Sequence, residues 1–263
     1  MTLKVAIHGA AGRMGRGLLQ VGLQYQNIKI VAAIEREDHP LLGHKLVEDD
    51  RCPLLIDDLD VIEFADVLID FSHPEAILPA AEHAAKFRKP FVSGTTGFHE
   101  DVRNALYDLA DQIPMLLAPN MSLGVNLMLS MLENAASKLP EDWEAEILEL
   151  HHRFKKDSPS GTAMALAAAL AKGRSAHLED IIKTERPRVT ERPRGREEIG
   201  VMALRGGDVV GEHCVYLFGT GERIELTHRA TDRMIFVRGA LHAARWIVGR
   251  APGRYSMRDT LDL

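Results

Sequence analysis

Three glycines between a β-branched run and a helical pattern restrict the N-terminal half of this chain to very few folds. Residues 4–8 read as a strand, 13–25 as a helix and 28–34 as a second strand, with Gly9, Gly12 and Gly15 at the first strand-to-helix turn. That is a βαβ unit whose turn is built so that backbone can approach a ligand closely, as a dinucleotide-binding loop must approach a pyrophosphate. The spacing is G-x-x-G-x-x-G, and glycines there can also be simple tight-turn residues. The alternation continues with a strand at 66–71, a helix opened by Pro74, a strand at 90–93, a helix at 99–112 and a strand at 115–118. A Rossmann-type, doubly wound parallel sheet follows.

After Asn120 the pattern changes. A long helix is expected over 123–139, then longer strands at 144–150, 199–204, 209–217 and 223–228, and a last helix over 233–248. These lengths suggest a second α+β domain on an open, mixed or mostly antiparallel sheet. The expected division is 1–122 plus 233–263 for dinucleotide binding and 123–232 for substrate binding and oligomerisation, with hinges near 120–123 and 230–233.

Glu35 ends the second strand about 20 residues beyond the loop, where a carboxylate accepts hydrogen bonds from adenosine ribose hydroxyls. That favours NADH. Arg36 follows, and a guanidinium there can pair with a 2′-phosphate, so the expectation is NADH and/or NADPH. Against this stands a solvated surface cluster of Glu35, Arg36 and Glu37. Arg13 either reaches a cofactor phosphate or covers the first helix turn. Gly94-Thr95-Thr96-Gly97 and Ala118-Pro119-Asn120-Met121 lie at strand ends on the same expected edge and are read as cradling the nicotinamide, with ordinary turn chemistry as the alternative.

Residues 149–163 carry the densest set of proton-moving groups: His151 and His152, then Arg153, Lys155 and Lys156, then Ser160-Gly161-Thr162 opening an Ala-rich helix. Free N–H groups at a helix start bind carboxylates, so a small acidic substrate is expected. Neighbours on a strand point to opposite faces, so both imidazoles enter one site only if the backbone turns there. His151 and Lys155 therefore rank above His152 as acids. For an arbitrary His-His pair the plainer outcome is one packed ring and one exposed ring. Asp157 is read as pinning the turn or capping the next helix. No metal site is expected, since the His pair lacks a third ligand at suitable spacing.

Composition excludes other classes. A net charge of −6 over 263 residues argues against a nucleic-acid partner, which needs a basic excess. The longest purely apolar run, 163–171, is too short to span a bilayer, so no membrane partner is expected. The chain opens on a strand pattern in place of an export signal, and its two cysteines, Cys52 and Cys214, are far apart, which fits a reducing, cytoplasmic setting. Residues 185–198, rich in Arg, Pro, Gly and Glu, read as a charged mobile loop, with steering of an anion as the lesser reading. Arg233 and the 259–263 tail are read as domain contacts. Trp143, Trp246, Met121, Met128 and Met131 are read as core or interface packing.

The G-A-A-G-R-M-G loop, Glu35-Arg36, Gly94-Thr-Thr-Gly-Phe98, Pro119-Asn-Met-Ser122 and the H-H-R-x-K-x-D-x-P-S-G-T-A string together resemble the dihydrodipicolinate reductase (4-hydroxy-tetrahydrodipicolinate reductase) family over nearly the whole chain. The last string is highly specific and the glycine loop much less so. The resemblance implies NAD(P)H-dependent reduction of a cyclic imine dicarboxylate in the diaminopimelate and lysine pathway, and a homotetramer. It implies His151 as proton donor or acceptor, Lys155 as a second donor, and His152, Gly161 and Thr162 as carboxylate ligands. On the cofactor side it implies Gly9, Ala10, Ala11, Gly12, Arg13, Met14, Glu35, Arg36, Gly94, Thr95, Thr96, Ala118, Pro119, Asn120 and Met121. Ser158 stands where many relatives have Ala, and His73 where a basic residue is frequent.

Two other readings share the N-terminal features. An aspartate or homoserine dehydrogenase type of oxidoreductase has no reason to carry the His-His to Thr-Ala string. A nicotinamide sensor without turnover has no need for Lys155.

Overall fold

The computed structural model describes residues 2–188 and 192–263. The chain divides into two compact units, Met1–Leu123 with Met234–Leu263, and Gly124–Arg233. Each boundary lies one residue from its expected place.

The first unit begins with β1 (Leu3–His8), α1 (Arg13–Gly22) and β2 (Ile28–Ile34). The last four residues of β1 and the last three of β2 are buried, the near-continuous apolar pattern of strands covered on both faces. There follow β3 (Leu55–Ile56), a 3-10 turn at Asp60–Phe64, β4 (Val67–Asp70), α2 (Ile77–Lys86), β5 (Phe91–Ser93), α3 (Glu100–Leu109) and β6 (Pro114–Leu117). The seven strands are parallel in the order β12-β6-β5-β4-β1-β2-β3, where β12 (Gly253–Tyr255) comes from the C-terminal segment and pairs with β6. From β1 the chain builds outward to β3, then crosses back to β4. The C-terminal ends of β1 and β4 thus flank the switch point, where open α/β sheets bind ligands.

Two apolar layers cover this sheet. One unites Leu18 and Leu19 of α1 with Val237, Ala240, Leu241 and Ala244, and the other unites Ala80, Ala81 and Ala84 of α2 with Leu106 of α3. The helix that brings the C-terminal segment back runs Met234–Ile247. It approaches the 118–121 loop so closely that a Cβ on Gly239 would collide with the Met121 carbonyl. Pro74 does not open a helix: residues 74–76 form a turn closed by the Ala76 N–H on the His73 carbonyl at 2.8 Å, and α2 starts at Ile77.

The second unit holds α4 (Leu123–Lys138, entered from the first unit), β7 (Glu144–His151), α5 (Gly161–Gly173), α6 (Leu178–Ile181), β8 (Ile182–Lys183), β9 (Ile199–Arg205), β10 (Gly211–Gly219) and β11 (Glu222–Ala230); in chain order Met234–Ile247 is α7. The sheet is mixed, in the order β11-β10-β7-β9-β8, with β7 antiparallel to β10 and parallel to β9. Burial alternates strictly along β7, so Ala145, Ile147, Glu149 and His151 share the helix-covered face. Met128 and Leu132 of α4 and Leu166, Ala167 and Leu170 of α5 pack there on Ala145, Ile147, Val201, Val215 and Leu217. The 163–171 run is apolar because α5 lies in this core.

The sequence pattern does not show β3, β8 or β12, which are two or three residues long and, unlike β5, do not fall in the strand-helix alternation. Gly239→Ala should lower unfolding free energy by about 3 kcal/mol through overpacking against Met121, as read from urea denaturation followed by circular dichroism.

Candidate functional site

Burying a carboxylate is costly unless donors surround it, and Glu149 is fully buried. Its Oε2 lies 2.5 Å from His151 Nδ1 and 2.9 Å from Arg205 Nη1; its Oε1 accepts from the Ser160 N–H at 2.9 Å and from Arg205 Nη2 at 2.8 Å. The register His151↔Arg205 between β7 and β9 puts these side chains on one face. Burial alone would raise the Glu149 carboxyl, but Arg205, His151 and the Ser160 N–H together hold it below the usual carboxylate range. Burial lowers the His151 imidazole, and the upward pull of Glu149 does not cancel this.

The chain turns directly after β7. His152 N–H donates to Val209 O at 2.8 Å, and Lys155 N–H donates back to His152 O at 3.1 Å. His152 Nε2 lies 3.1 Å from Arg233 Nη2, so Arg233 meets a histidine of its own unit. Lys155, one-fifth exposed, pairs with Asp157 at 2.8 Å. Asp157 therefore serves Lys155 and, through its carbonyl, Arg205; it does not cap α5. That cap is Ser160, whose Oγ accepts from the Ala163 N–H at 3.2 Å and lies 3.2 Å from His213 Nε2.

Ser160 was expected in the carboxylate cradle, but it is buried, its hydroxyl is taken by the cap and His213, and its N–H by Glu149. Gly161 and Thr162 are the other two residues expected in that cradle. Gly161 is exposed, and a Cβ there would meet nothing within 4 Å. No packing demand of the chain requires that space, so it is available to a ligand.

Sequence reasoning missed Arg205 and His213. The His151 and His213 rings meet edge to face at 5.2 Å, and burial, then His151, pushes His213 down to about 4. Both sit 53 and more residues along the chain from the histidine pair, beyond the reach of spacing arguments; the only signal was a polar residue on the apolar phase of a strand.

In the first unit, Gly9 has φ +73°, and a Cβ on it would strike the Phe71 backbone, while one on Gly15 would strike Gly9 and Ala10. Gly12 caps α1 with no side chain over the first-turn N–H groups, and no acidic residue stands in that turn. The loop thus fits an anionic pyrophosphate. Glu35 is half-buried; its Oε2 accepts from the Ala11 N–H at 3.1 Å, which ties the loop to the end of β2. Arg36 is exposed and pairs with Asp38 at 3.2 Å, and Arg13 is exposed.

A second buried carboxylate, Asp70, joins three strand ends: His8 Nδ1 at 2.8 Å, Ser93 Oγ at 2.6 Å and Thr95 Oγ1 at 2.7 Å. Burial would raise it, but His8 and the hydroxyls of Ser72 and Ser93 hold it low. Thr95 thus uses its hydroxyl inside the protein, whereas Thr96 is exposed. Gly94 lies against the Phe71 ring. Asn120 Oδ1 accepts from the Ser122 N–H at 2.9 Å, Pro119 is exposed, and the side chains of Ala10, Ala118, Met121 and, in part, Met14 belong to the core. These last four can offer a cofactor mainly backbone. His73 is exposed with Glu75 at 3.9 Å.

Two arginines of the 185–198 segment are internal ties, whereas Arg188, Arg192 and Arg196 are exposed. Arg186 pairs with Glu146 and Glu198, and Arg194 with Glu144 and Glu146. Residues 189–191 of that segment lie outside the described residues. Among the described residues no group of three or more His, Cys, Asp or Glu is placed to hold a metal ion.

A pyrophosphate-ready loop at the switch point of one unit, and a carboxylate-held imidazole beside an open helix start in the other, define a two-domain dinucleotide-dependent enzyme. Family models described as dihydrodipicolinate reductase, N-terminus, and dihydrodipicolinate reductase, C-terminus, match residues 3–121 and 124–261. The chain is 44% identical over 270 residues to the 4-hydroxy-tetrahydrodipicolinate reductase of Aquifex aeolicus, covering 100% of both. It is 43% identical over 268 residues to that of Syntrophotalea carbinolica, covering 99% of both. The dipicolinate-bound dihydrodipicolinate reductase from Paenisporosarcina sp. TG-14 shares the fold, with TM-score 0.79, 22% identity and coverage of 97% of this chain and 98% of that one. The chain belongs to the dihydrodipicolinate reductase family.

The depressed His213 carries a stability consequence. Its folded value of about 4 lies below the ordinary 6.5, so its contribution is complete above pH 6.5 and declines as pH falls toward 4. Urea unfolding at about pH 7 and about pH 4.5 should show a loss of about 2 to 3 kcal/mol from this group, absent in His213→Asn.

Proposed function

We propose that this protein reduces 4-hydroxy-tetrahydrodipicolinate, or its dehydrated form dihydrodipicolinate, to tetrahydrodipicolinate with NADH or NADPH, in diaminopimelate and lysine biosynthesis. The observation that carries the reading is the buried Glu149–His151 pair beside Lys155 and the open start of α5, in a chain of the reductase family over its whole length.

Residues 9–14 would hold the cofactor pyrophosphate on backbone N–H groups, with Glu35 and Arg36 at the adenosine ribose and residues 94–96 and 118–121 toward the nicotinamide. When bound, the reduced nicotinamide supplies a hydride to the conjugated C=N–C=C system of the substrate. The ring then holds an added electron pair, and a proton has to reach the neighbouring atom. His151 delivers it, with Lys155 as a second donor and as a cation that stabilises the developing charge. Gly161, Thr162 and His152 hold the two carboxylates. Their charges also counter the effect of burial on His151, favouring the imidazolium in the complex.

We also infer a homotetramer working in the cytoplasm on this small dicarboxylate, with no nucleic-acid partner. The face of the second sheet opposite α4 and α5 carries Leu148, Leu150, Met202, Leu204, Tyr216 and Phe218, none of them in the core cluster of that unit, and Leu204 is 51% exposed. An apolar sheet face of this kind is suited to pairing with another copy. Cys52 and Cys214 are both free thiols. Among the described residues no helix is long and apolar enough to cross a membrane.

The deciding assay follows nicotinamide absorbance with freshly condensed pyruvate and aspartate semialdehyde. His151→Gln or Lys155→Ala should lower kcat by about 100-fold or more with nearly unchanged NADH binding; oxidation of neither NADH nor NADPH by the unaltered protein would favour a sensor. Glu35→Ala should weaken NADH more than NADPH in a fluorescence titration, and equal losses would remove the ribose contact.

A further inference from the structure

We propose that Glu149, fixed in place by Arg205, is the positioning residue that sets the tautomer and direction of the His151 ring, so that the proton passes through Nε2 alone. The inference rests on the reading of His151 as the proton donor.

Glu149 and His151 are two residues apart on β7 and therefore point to the same face, at 2.5 Å through Nδ1. An ionised carboxylate only accepts hydrogen bonds, so the Nδ1 that faces it must carry hydrogen. Two features keep Glu149 ionised and still. Arg205 engages both its oxygens in a two-point fork, and the Ser160 N–H takes a further lone pair of Oε1. Each donor comes from a different element: β9, and the N-cap of α5. The carboxylate therefore cannot follow the ring if the ring rotates, and a flipped imidazole would place a C–H against it.

With Nδ1 so engaged, Nε2 is the nitrogen left for exchange. It lies over Gly211, where a Cβ would come within 2.9 Å of it, so the missing side chain keeps room at that nitrogen. The other titratable groups around the ring are Lys155 in the turn after β7, Arg205 on β9 and His213 on β10, with His228 on β11 beyond His213. None of them stands in for Glu149, which is the one carboxylate of the set. In turnover the imidazolium releases the Nε2 proton to the reduced ring, becomes the neutral Nδ1–H tautomer, and regains a proton from solvent. No oxidant or further reductant enters.

The test starts with the unaltered full-length protein carrying ¹⁵N-histidine. Ring ¹⁵N–¹H spectra across pH should show the neutral His151 as the Nδ1–H tautomer, and an Nε2–H tautomer overturns the proposal whatever the variants do. In Glu149→Gln the charge favouring the imidazolium is gone. The alkaline limb of kcat should then move to lower pH and kcat at neutral pH fall about 100-fold, with KM for the reduced nicotinamide unchanged. Glu149→Gln/Arg205→Gln removes the stranded guanidinium as well, and should recover stability without recovering kcat. An unmoved limb with unreduced kcat in Glu149→Gln overturns the positioning role. His151→Gln is run beside these: if it retains full turnover, the reading of His151 itself fails, whereas loss there with none in Glu149→Gln removes only the inference about Glu149.

Discussion

A carboxylate removed from water persists as an anion only if the protein replaces the hydration it lost, and the second unit is arranged around doing so for Glu149. Strand β9 supplies a guanidinium, the cap of α5 a backbone N–H, and β7 itself an imidazole. Removing one such partner leaves an unpaired buried charge, which costs several kcal/mol. The arrangement thus couples three elements to one another beside His151. Ser160 shows how tightly the coupling is made: one residue caps α5, donates to Glu149 and meets His213.

The first unit repeats the device with different chemistry. Asp70 at the end of β4 gathers His8 from β1 and Ser93 and Thr95 from the end of β5. Those strands lead into the loops that begin at Gly9 and Gly94. A loop has few apolar contacts of its own, so its position is set by the hydrogen bonds at its root. Glu35 does the same for the glycine loop through the Ala11 N–H. Its carboxylate, read from sequence as a ribose ligand, is therefore also a structural tie, and the two uses are compatible because a carboxylate has four acceptor sites.

Much of the fold was legible from period and punctuation. Residues 4–8 and 28–34 show the apolar runs of buried parallel strands, the observed β7 falls within a residue of its expected span, and the change of pattern after Asn120 marks where the chain leaves the first unit. The start of α2 was misplaced because Pro74 suits a turn as well as a first helical turn. Arg186 and Arg194 read as solvated because a run of charges carries no sign of its partners; Glu144, Glu146 and Glu198 pair with them only once β7 and the approach to β9 are neighbours.

Within the site, the chain order of residues 149–163 already held the parts of the proposed chemistry: His151 and Lys155 as the proposed acid pair, a turn directly after β7, and a helix start open at Gly161. These are local features, fixed by side-chain type and by the few residues on either side. Which group holds which was decided by tertiary structure. Arg205 and His213 reach Glu149, His151 and Ser160 only through strand register, across more than 50 residues of sequence. That register follows from which faces of β7, β9 and β10 must be buried under α4 and α5, a condition set by the whole unit and written in no single stretch of the chain.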